Sequence, residues 1–406
     1  METVKKFKLI RDIRAEITDP QKTYDDMMHQ LNSVAQKYLG MDTLHLEFSF
    51  VNRRFIFLLA IMSTFLYADV ESAVLAGDVG EVAYNIAVLG FGLQGFAKFD
   101  AYVYRKESMH TLVWQISAFL NKKKMFDGLN EIVTANVAIM VLLKRFYIGL
   151  YGFVFVSMSS LGLISSLSSG ERQLSFGFQF SFLDTSNWVG YLATYIYQVA
   201  GILMVVISSC CNDILIVVLY ITAMGMYDCM MFDLRELSKL SQMEKSSANK
   251  RIAEERIKSV IQQHQEVLEF LELSNETFSL YFLMSLVCMT TAIAILLVAL
   301  VWNRWYAGLV ICFAASSQIF ALSLLGTLLL VKSEELIDEV YSITWYDMDL
   351  PVQRSLKLFL LMSQHVKEIS YRFGVMNMET YVQILPFRLQ PPRSEIASSR
   401  PYEPVL

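Results

Sequence analysis

Long apolar runs alternate with charged segments along this chain, and each run is near 20 residues, the length a helix needs to cross about 30 Å of hydrocarbon. Six such runs stand at residues 55–74, 82–104, 146–165, 191–216, 278–300 and 306–328. A seventh and weaker run, 366–387, is interrupted by Lys367, Glu368, Arg372 and Glu379. The pattern predicts an all-α, polytopic membrane protein, a seven-transmembrane helical bundle.

Between the fourth and fifth runs the chain turns polar but keeps a helical period. Ile257, Val260, Ile261, His264, Val267, Leu268 and Leu271 fall three or four residues apart and make one apolar stripe about four turns long. Glu254 and Lys258 sit four apart on the other face, a spacing that suits a charge pair. An apolar stripe outside the membrane needs a cover. Residues 334–362, with Leu336, Val340, Trp345 and Leu358, are the expected one. Together the two stretches predict a cytoplasmic helical anchor layer built from span extensions, where subunits meet.

Composition agrees with the pattern: 54% of the 406 residues are hydrophobic, 18% are charged, and the mean hydropathy is +0.41. The basic residues then decide sidedness, because Lys and Arg accumulate on the cytoplasmic side. Of 34, nine lie in residues 1–54, seven in 105–145, seven in 227–275 and five in 332–372. The opposite loops carry only Arg172 and Arg304. An intracellular N-terminus follows, and with seven spans an outside C-terminus. The start is charged and has no apolar core of leader length, so no cleaved leader is expected. Residues 191–227 are long enough for two short spans, yet splitting them would put the later basic loops outside. One helix continuing into the cytosol is the expectation.

The resulting organisation is a cytoplasmic N-terminal segment (1–54), spans one to six with their loops (55–331, including the cytoplasmic extension 227–275), an anchor helix region (332–365), an incomplete seventh helix (366–387) and a proline-containing tail (388–406).

Enzyme templates find no support. The string Gly90-Phe-Gly92-Leu-Gln-Gly95 has the spacing of a dinucleotide fingerprint but lies inside an apolar run with no preceding strand, so close helix packing is its expected role. The five histidines never pair at metal spacing, and no G-x-S-x-G or C-x-x-C string occurs. No catalytic residue, metal or cofactor is expected. A net charge of −5 gives no nucleic-acid footprint, and the basic clusters suit anionic lipid. All five cysteines lie in or beside spans, as small apolar residues do. Asp69, Glu71, Lys98, Asp100 and Asp213 are the charged groups within runs, and most are near enough to an interface to reach it by snorkelling.

Two blocks resemble the insect odorant receptor family, seven-span proteins of inverted topology relative to G-protein-coupled receptors. His264-Gln265 before the fifth span is similar to the family's H-Q-x-x-L segment. Trp345-Tyr346, Pro351, the run from Arg354 to Leu361, Ser363-Gln364, and Asn377 with Glu379-Thr380-Tyr381 resemble its C-W-Y…P…R…L…Q…N-x-E-T-F pattern. Gustatory receptors share the architecture, but Val-Gln-Ile-Leu-Pro after Thr380-Tyr381 breaks their ending. G-protein-coupled receptors fit less well, since D-R-Y and N-P-x-x-Y are both missing.

The resemblance implies a tuning receptor: the ligand-binding subunit of an odorant-gated non-selective cation channel, assembled with the shared co-receptor into a heterotetramer in the plasma membrane of olfactory sensory neurons. It implies an apolar odorant pocket in the outer half of spans two to six. Depth and residue type nominate Tyr84, Phe91, Phe155, Met158, Tyr195, Ile295, Tyr306 and Phe313. His264, Gln265, Trp345, Tyr346, Pro351 and Gln364 are the implied subunit-anchor motif, and Asn377, Glu379, Thr380 and Tyr381 the seventh-helix motif. A gustatory-type receptor, or a membrane partner that binds without conducting, is the alternative. Family members continue the last helix where this chain has Pro386, Pro391, Pro392, Pro401 and Pro404, so no gate residue is carried over and an altered gene end is expected.

The orientation puts the sequon Asn275-Glu-Thr277 at the inner end of the fifth span. N-glycosidase digestion is therefore expected to leave electrophoretic mobility unchanged, and a shift abolished by Asn275→Gln would overturn the orientation.

Overall fold

The computed structural model describes residues 8–42, 44, 52–77, 79–169, 172, 174–176, 178–180, 183–241, 247–303, 307–364 and 367–384. Two short helices come first, α1 (Lys8–Glu16) and α2 (Pro20–Val34), the latter capped by Asp19, whose carboxylate accepts from the backbone N–H groups of Gln21 and Lys22. A π-helical turn follows (Ala35–Leu39) and stops at Gly40, whose φ of 69° is left-handed and favours glycine. Then α3 (Arg53–Leu75), capped by Asn52, begins the long helices.

They continue as α4 (Val79–Phe99) with a second π-helical turn (Asp100–Tyr104), α5 (Lys106–Lys123), α6 (Asp127–Ser169), α7 (Trp188–Ser241), α8 (Ser247–Asn303) and α9 (Ala307–Ser342). The chain closes with a 3-10 turn (Trp345–Asp347), α10 (Leu350–Ser363), an antiparallel hairpin of β1 (Ser370–Tyr371) and β2 (Gly374–Val375), and α11 (Met378–Ile384). Five of these helices, α3, α6, α7, α8 and α9, are long and apolar enough to cross a membrane among the described residues. Glu81, Asn85, Gln94 and Lys98 dilute α4, which covers the second expected run. The protein is a helical polytopic membrane protein.

Residues 191–227 lie in one unbroken helix: α7 has 54 residues, about 80 Å of helix against the roughly 30 Å a bilayer requires. At 57 and 43 residues, α8 and α6 are also far longer than a span. The surplus packs into a layer at the end of the bundle where the basic residues cluster. From Asn212 to Met231 every residue of α7 is buried, so protein surrounds this mostly apolar stretch on every face. Around it lie α5, α6, α8, α9 and the N-terminal helices, with Tyr24 donating to the Val113 carbonyl and Lys332 buried in an ion pair with Asp228 at 2.8 Å.

The α8 stripe faces this core through Ile257, Val260, His264, Val267 and Leu271, with Ile261 and Leu268 half-buried. Its cover differs from expectation. Leu336 and Val340 are buried, but Trp345 and Leu358 are exposed, and α10 instead turns Val352, Leu356 and Phe359 inward. The 3.6-residue period of α10 decides this, since Leu358 neighbours Phe359 yet is turned about 100° from it around the helix, out of the core. The α8 charge pair joins Arg251 to Glu255 at 2.9 Å, and Glu254–Lys258 is not among the ion pairs of the described residues.

The glycines of α4 act in packing. A Cβ on Gly92 would meet Leu66, one on Gly95 would meet Met62, and one on Gly90 would lie 3.3 Å from the Cys288 carbonyl. Close approach of α4 to α3 and α8 depends on them.

The seventh run is not one helix. Residues 370–375 form the hairpin, and the helix begins only at Met378. Three of the charges that interrupted the pattern fall before or within the hairpin, where Lys367 pairs with Glu272 at 3.0 Å and Arg372 sits in the turn, and Glu379 lies in the first turn of α11. The proline-bearing end of the run and the whole tail lie outside the described residues. The hairpin packs against α8 and α11 against α9, where Thr327 Oγ accepts from the Met378 N–H and Gly326 lies so close to the Met376 carbonyl that a Cβ would fall 1.8 Å from it. Gly326→Ala is therefore expected to lower stability by about 2 kcal/mol, read as a fall in the thermal midpoint of the purified protein.

Candidate functional site

Between the helices lies a partly open pocket of about 140 Å3. Its walls come from five helices and one loop. Leu58, Ile61, Met62 and Phe65 stand on α3, and Val88, Phe91 and Gly92 on α4. Val154 and Met158 come from α6, Gly201, Ile202 and Met204 from α7, and Ile311 and Ala314 from α9. Almost all of this surface is carbon, which favours an apolar occupant through desolvation.

The outer end is closed by the segment before α7. Phe176, Phe178 and Phe180 alternate, and Phe65 meets the first two edge-on with ring centroids 5.6 and 4.6 Å apart. Gln198, fully buried in α7, holds this segment by its side chain: its amide donates to the carbonyls of Phe176 and Phe178 and its oxygen accepts from the Phe176 N–H, each at 3.1 Å. Tyr84 adds a bond to the Ser175 carbonyl at 3.2 Å.

The inner end is polar. Asp213 accepts from Tyr281 at 2.7 Å, from Gln318 at 3.2 Å and from Tyr151. Gln94 donates to Gln318 at 3.0 Å and to Ser285 at 2.8 Å. Lys98 Nζ donates to Ser209 and lies 5.7 Å from the Tyr281 ring centroid. Lys98 is 2% exposed and Asp213 3%. Neither reaches an interface, contrary to the snorkelling expectation: they are enclosed by helices that supply hydroxyl and amide partners. Asp100 does reach the surface, where Arg105 pairs with it at 3.2 Å.

The eight nominated pocket residues separate cleanly. Phe91 and Met158 line the cavity. Phe155 and Tyr84 belong to the apolar cluster around it without lining it. Tyr195 turns away and donates to the Ser159 carbonyl at 2.6 Å, and Ile295 is half-buried on α8, which contributes no lining residue among those described. Phe313 is exposed, and Tyr306 lies outside the described residues. Span one supplies a wall in place of span five. Depth in the membrane is readable from run position, but the direction a side chain faces around its helix is set by neighbours. Signals for four of the missed residues were present: Gln198 is an amide in an apolar run, which demands a partner, and Phe176, Phe178 and Phe180 alternate.

The anchor motif is mostly surface. Gln265, Trp345, Tyr346, Pro351 and Gln364 are exposed, with Pro351 in the first turn of α10. His264 alone is buried, edge-on to Phe359 at 5.2 Å with Nδ1 unpartnered. In the seventh-helix motif Asn377 is a cap: its side-chain oxygen accepts from the N–H of Thr380 at 2.9 Å, and the Thr380 hydroxyl donates to the Val375 carbonyl. Tyr381 rests on α9, its hydroxyl 3.0 Å from that of Ser316 and its ring edge-on to Phe320, while Glu379 accepts from Gln383 at the surface.

Burial lowers the His264 pKa, so the folded protein holds a neutral ring. As pH falls through the unfolded value near 6.5 the unfolded chain gains the proton first, so stability is full above that pH and declines below it. His264→Phe, which keeps a ring and removes the titration, is expected to narrow the drop in thermal midpoint between about pH 7.5 and pH 5.5.

Comparison with known proteins agrees with this geometry. The sequence model described as "7tm Odorant receptor" matches residues 78–388. The fold is similar to that of the insect olfactory receptor OR5 from Machilis hrabei, solved in complex with eugenol (TM-score 0.74) and also solved without mention of a ligand (TM-score 0.73). Each comparison has 14% identity over 90% of this chain and 96% of that one. No curated protein matches by sequence. A family match spanning most of the chain, on a helical membrane fold, places this protein in the 7tm odorant receptor family.

Proposed function

We propose that this chain is the ligand-binding subunit of an odorant-gated, non-selective cation channel, assembled with the shared co-receptor in the plasma membrane of olfactory sensory neurons and serving the sense of smell. The observation that carries the reading is the apolar pocket between the helices, about the volume that accepts a benzene-sized guest. A volatile molecule has few polar groups and binds by leaving water for such a surface. The Machilis hrabei receptor of similar fold was solved with eugenol, a small volatile of this kind.

The exposed aromatics of the anchor support assembly. Trp345 is 51% and Tyr346 64% exposed, with Tyr341, Leu350, Leu358 and Leu361 also exposed in the same stretch. Apolar side chains in this number at a surface suit a contact between subunits. The basic-residue asymmetry supports placing this layer in the cytosol.

Helix α9 links the cavity to the last helix. Ile311, Ala314 and Gln318 line the cavity or its floor, and Ser316 and Phe320 on the same helix carry Tyr381 of α11. A ligand that fits better when α9 is displaced shifts α11 with it, and it moves that equilibrium only by its difference in affinity between the two states.

Co-expression with the co-receptor, with current recorded during an odorant panel and surface protein measured in parallel, tests the reading. Odorant-evoked current is expected, and Gly201→Leu, which puts a side chain into the cavity, is expected to raise the half-maximal odorant concentration at least tenfold at equal surface expression. Wild-type protein at the surface that never gives current would favour a partner that binds without conducting.

A further inference from the structure

The cavity's polar wall carries one cation, and the partners around that cation are unevenly shared. The hydroxyls of Tyr151 and Tyr281 and the Gln318 amide all donate to Asp213, and the Gln94 amide is taken by Ser285 and Gln318. The carboxylate is thus answered by neutral donors. Lys98 is not joined to it by any ion pair among the described residues. Its ammonium has three N–H donors; one goes to Ser209, and the Tyr281 ring covers another side. Lys98 also lines the cavity. A donor left over beside an apolar space is costly, and a ligand that supplies an acceptor relieves the cost.

We propose that Lys98 is a specificity-determining residue of this cavity, donating a hydrogen bond to the carbonyl oxygen of a neutral ligand whose apolar body is about the size of a benzene ring. This rests on the reading of the cavity as the odorant site. Neutrality follows from charge: Lys98 and Asp213 already balance, and a carboxylate would bring a second negative charge to the same wall. Orientation follows from the axis of α4. Val88 and Lys98 both line the cavity ten positions apart, about 15 Å along the helix, so the carbonyl points inward and the hydrocarbon lies toward Phe176. A pure hydrocarbon fills the same space and leaves the donor unmet.

Acetophenone, cumene and benzoate share a phenyl ring and the same number of heavy atoms, and they differ only at the head. Equilibrium binding of each to the purified full-length chain in lipid nanodiscs is expected to give acetophenone about tenfold tighter than cumene, the effect of one charge-assisted hydrogen bond, with benzoate weaker than acetophenone. Lys98→Met is expected to bring acetophenone and cumene within about twofold of each other. That variant leaves Asp213 unbalanced, so Lys98→Met with Asp213→Asn, which removes both charges, gives the same readout should the single variant fail to fold. Equal binding of acetophenone and cumene to the wild type, or a tenfold preference retained in the variants, overturns the role of Lys98 and leaves the odorant cavity standing. Tighter binding of benzoate overturns the neutral ligand class. If none of the three binds, the cavity reading falls together with this inference.

Discussion

A carboxylate in the apolar interior is the constraint around which this bundle is arranged. Asp213 sits on α7 with almost no exposure, where an unanswered negative charge costs several kcal/mol. Its partners come from α6, α8 and α9, and Gln94 extends the network to α4. Each of those bonds holds only if the contributing helix has one rotation and one height relative to α7. Apolar packing alone tolerates small slides, whereas a hydrogen bond fails within an ångström. The network therefore sets the register of the helices, and the cavity exists because that register holds the walls apart just above it.

What lies on either side of the network follows from helix length. Toward the basic end α7 is buried on every face, and the surplus turns of α6, α8 and α9 close around it, giving a core that does not depend on lipid. Toward the other end the helices separate, the packing opens into the cavity, and a loop of alternating phenylalanines closes it. The Gln198 clamp is needed because a loop at this depth carries backbone groups that water does not reach, and one side chain answers three of them.

The long helices were legible in the sequence because two independent signals agree along them. Run length gives span count, and the placement of Lys and Arg excludes the split of residues 191–227 that hydropathy alone permits. The end of the chain was less legible, since the length of the 366–387 run does not mark the turn at 372–373, and the helix starts only where Met376 and Met378 dock against Gly326 and Thr327. In the site, Phe91 and Met158 were found by depth, while Tyr195 and Phe313, at comparable depth, face elsewhere. Lys98 was visible as a charge in a run, but snorkelling and burial give the same one-dimensional pattern. Which of them occurs depends on whether another helix stands in the way.

Polar groups inside the bundle consequently do two jobs that conflict. Satisfied, they fix the helices; left with a spare donor or acceptor at the cavity wall, they select what enters. Asp213 is satisfied three times over by neutral groups and belongs to the first kind, whereas Lys98, 5.7 Å from the Tyr281 ring centroid, keeps capacity in hand. Separating the two charges by neutral side chains lets a dry pocket hold an ammonium without neutralising its hydrogen-bonding power, which a direct ion pair would consume. A receptor built this way draws most of its affinity from hydrocarbon burial, which is nearly indifferent to shape, and its discrimination from a single buried donor, which is not.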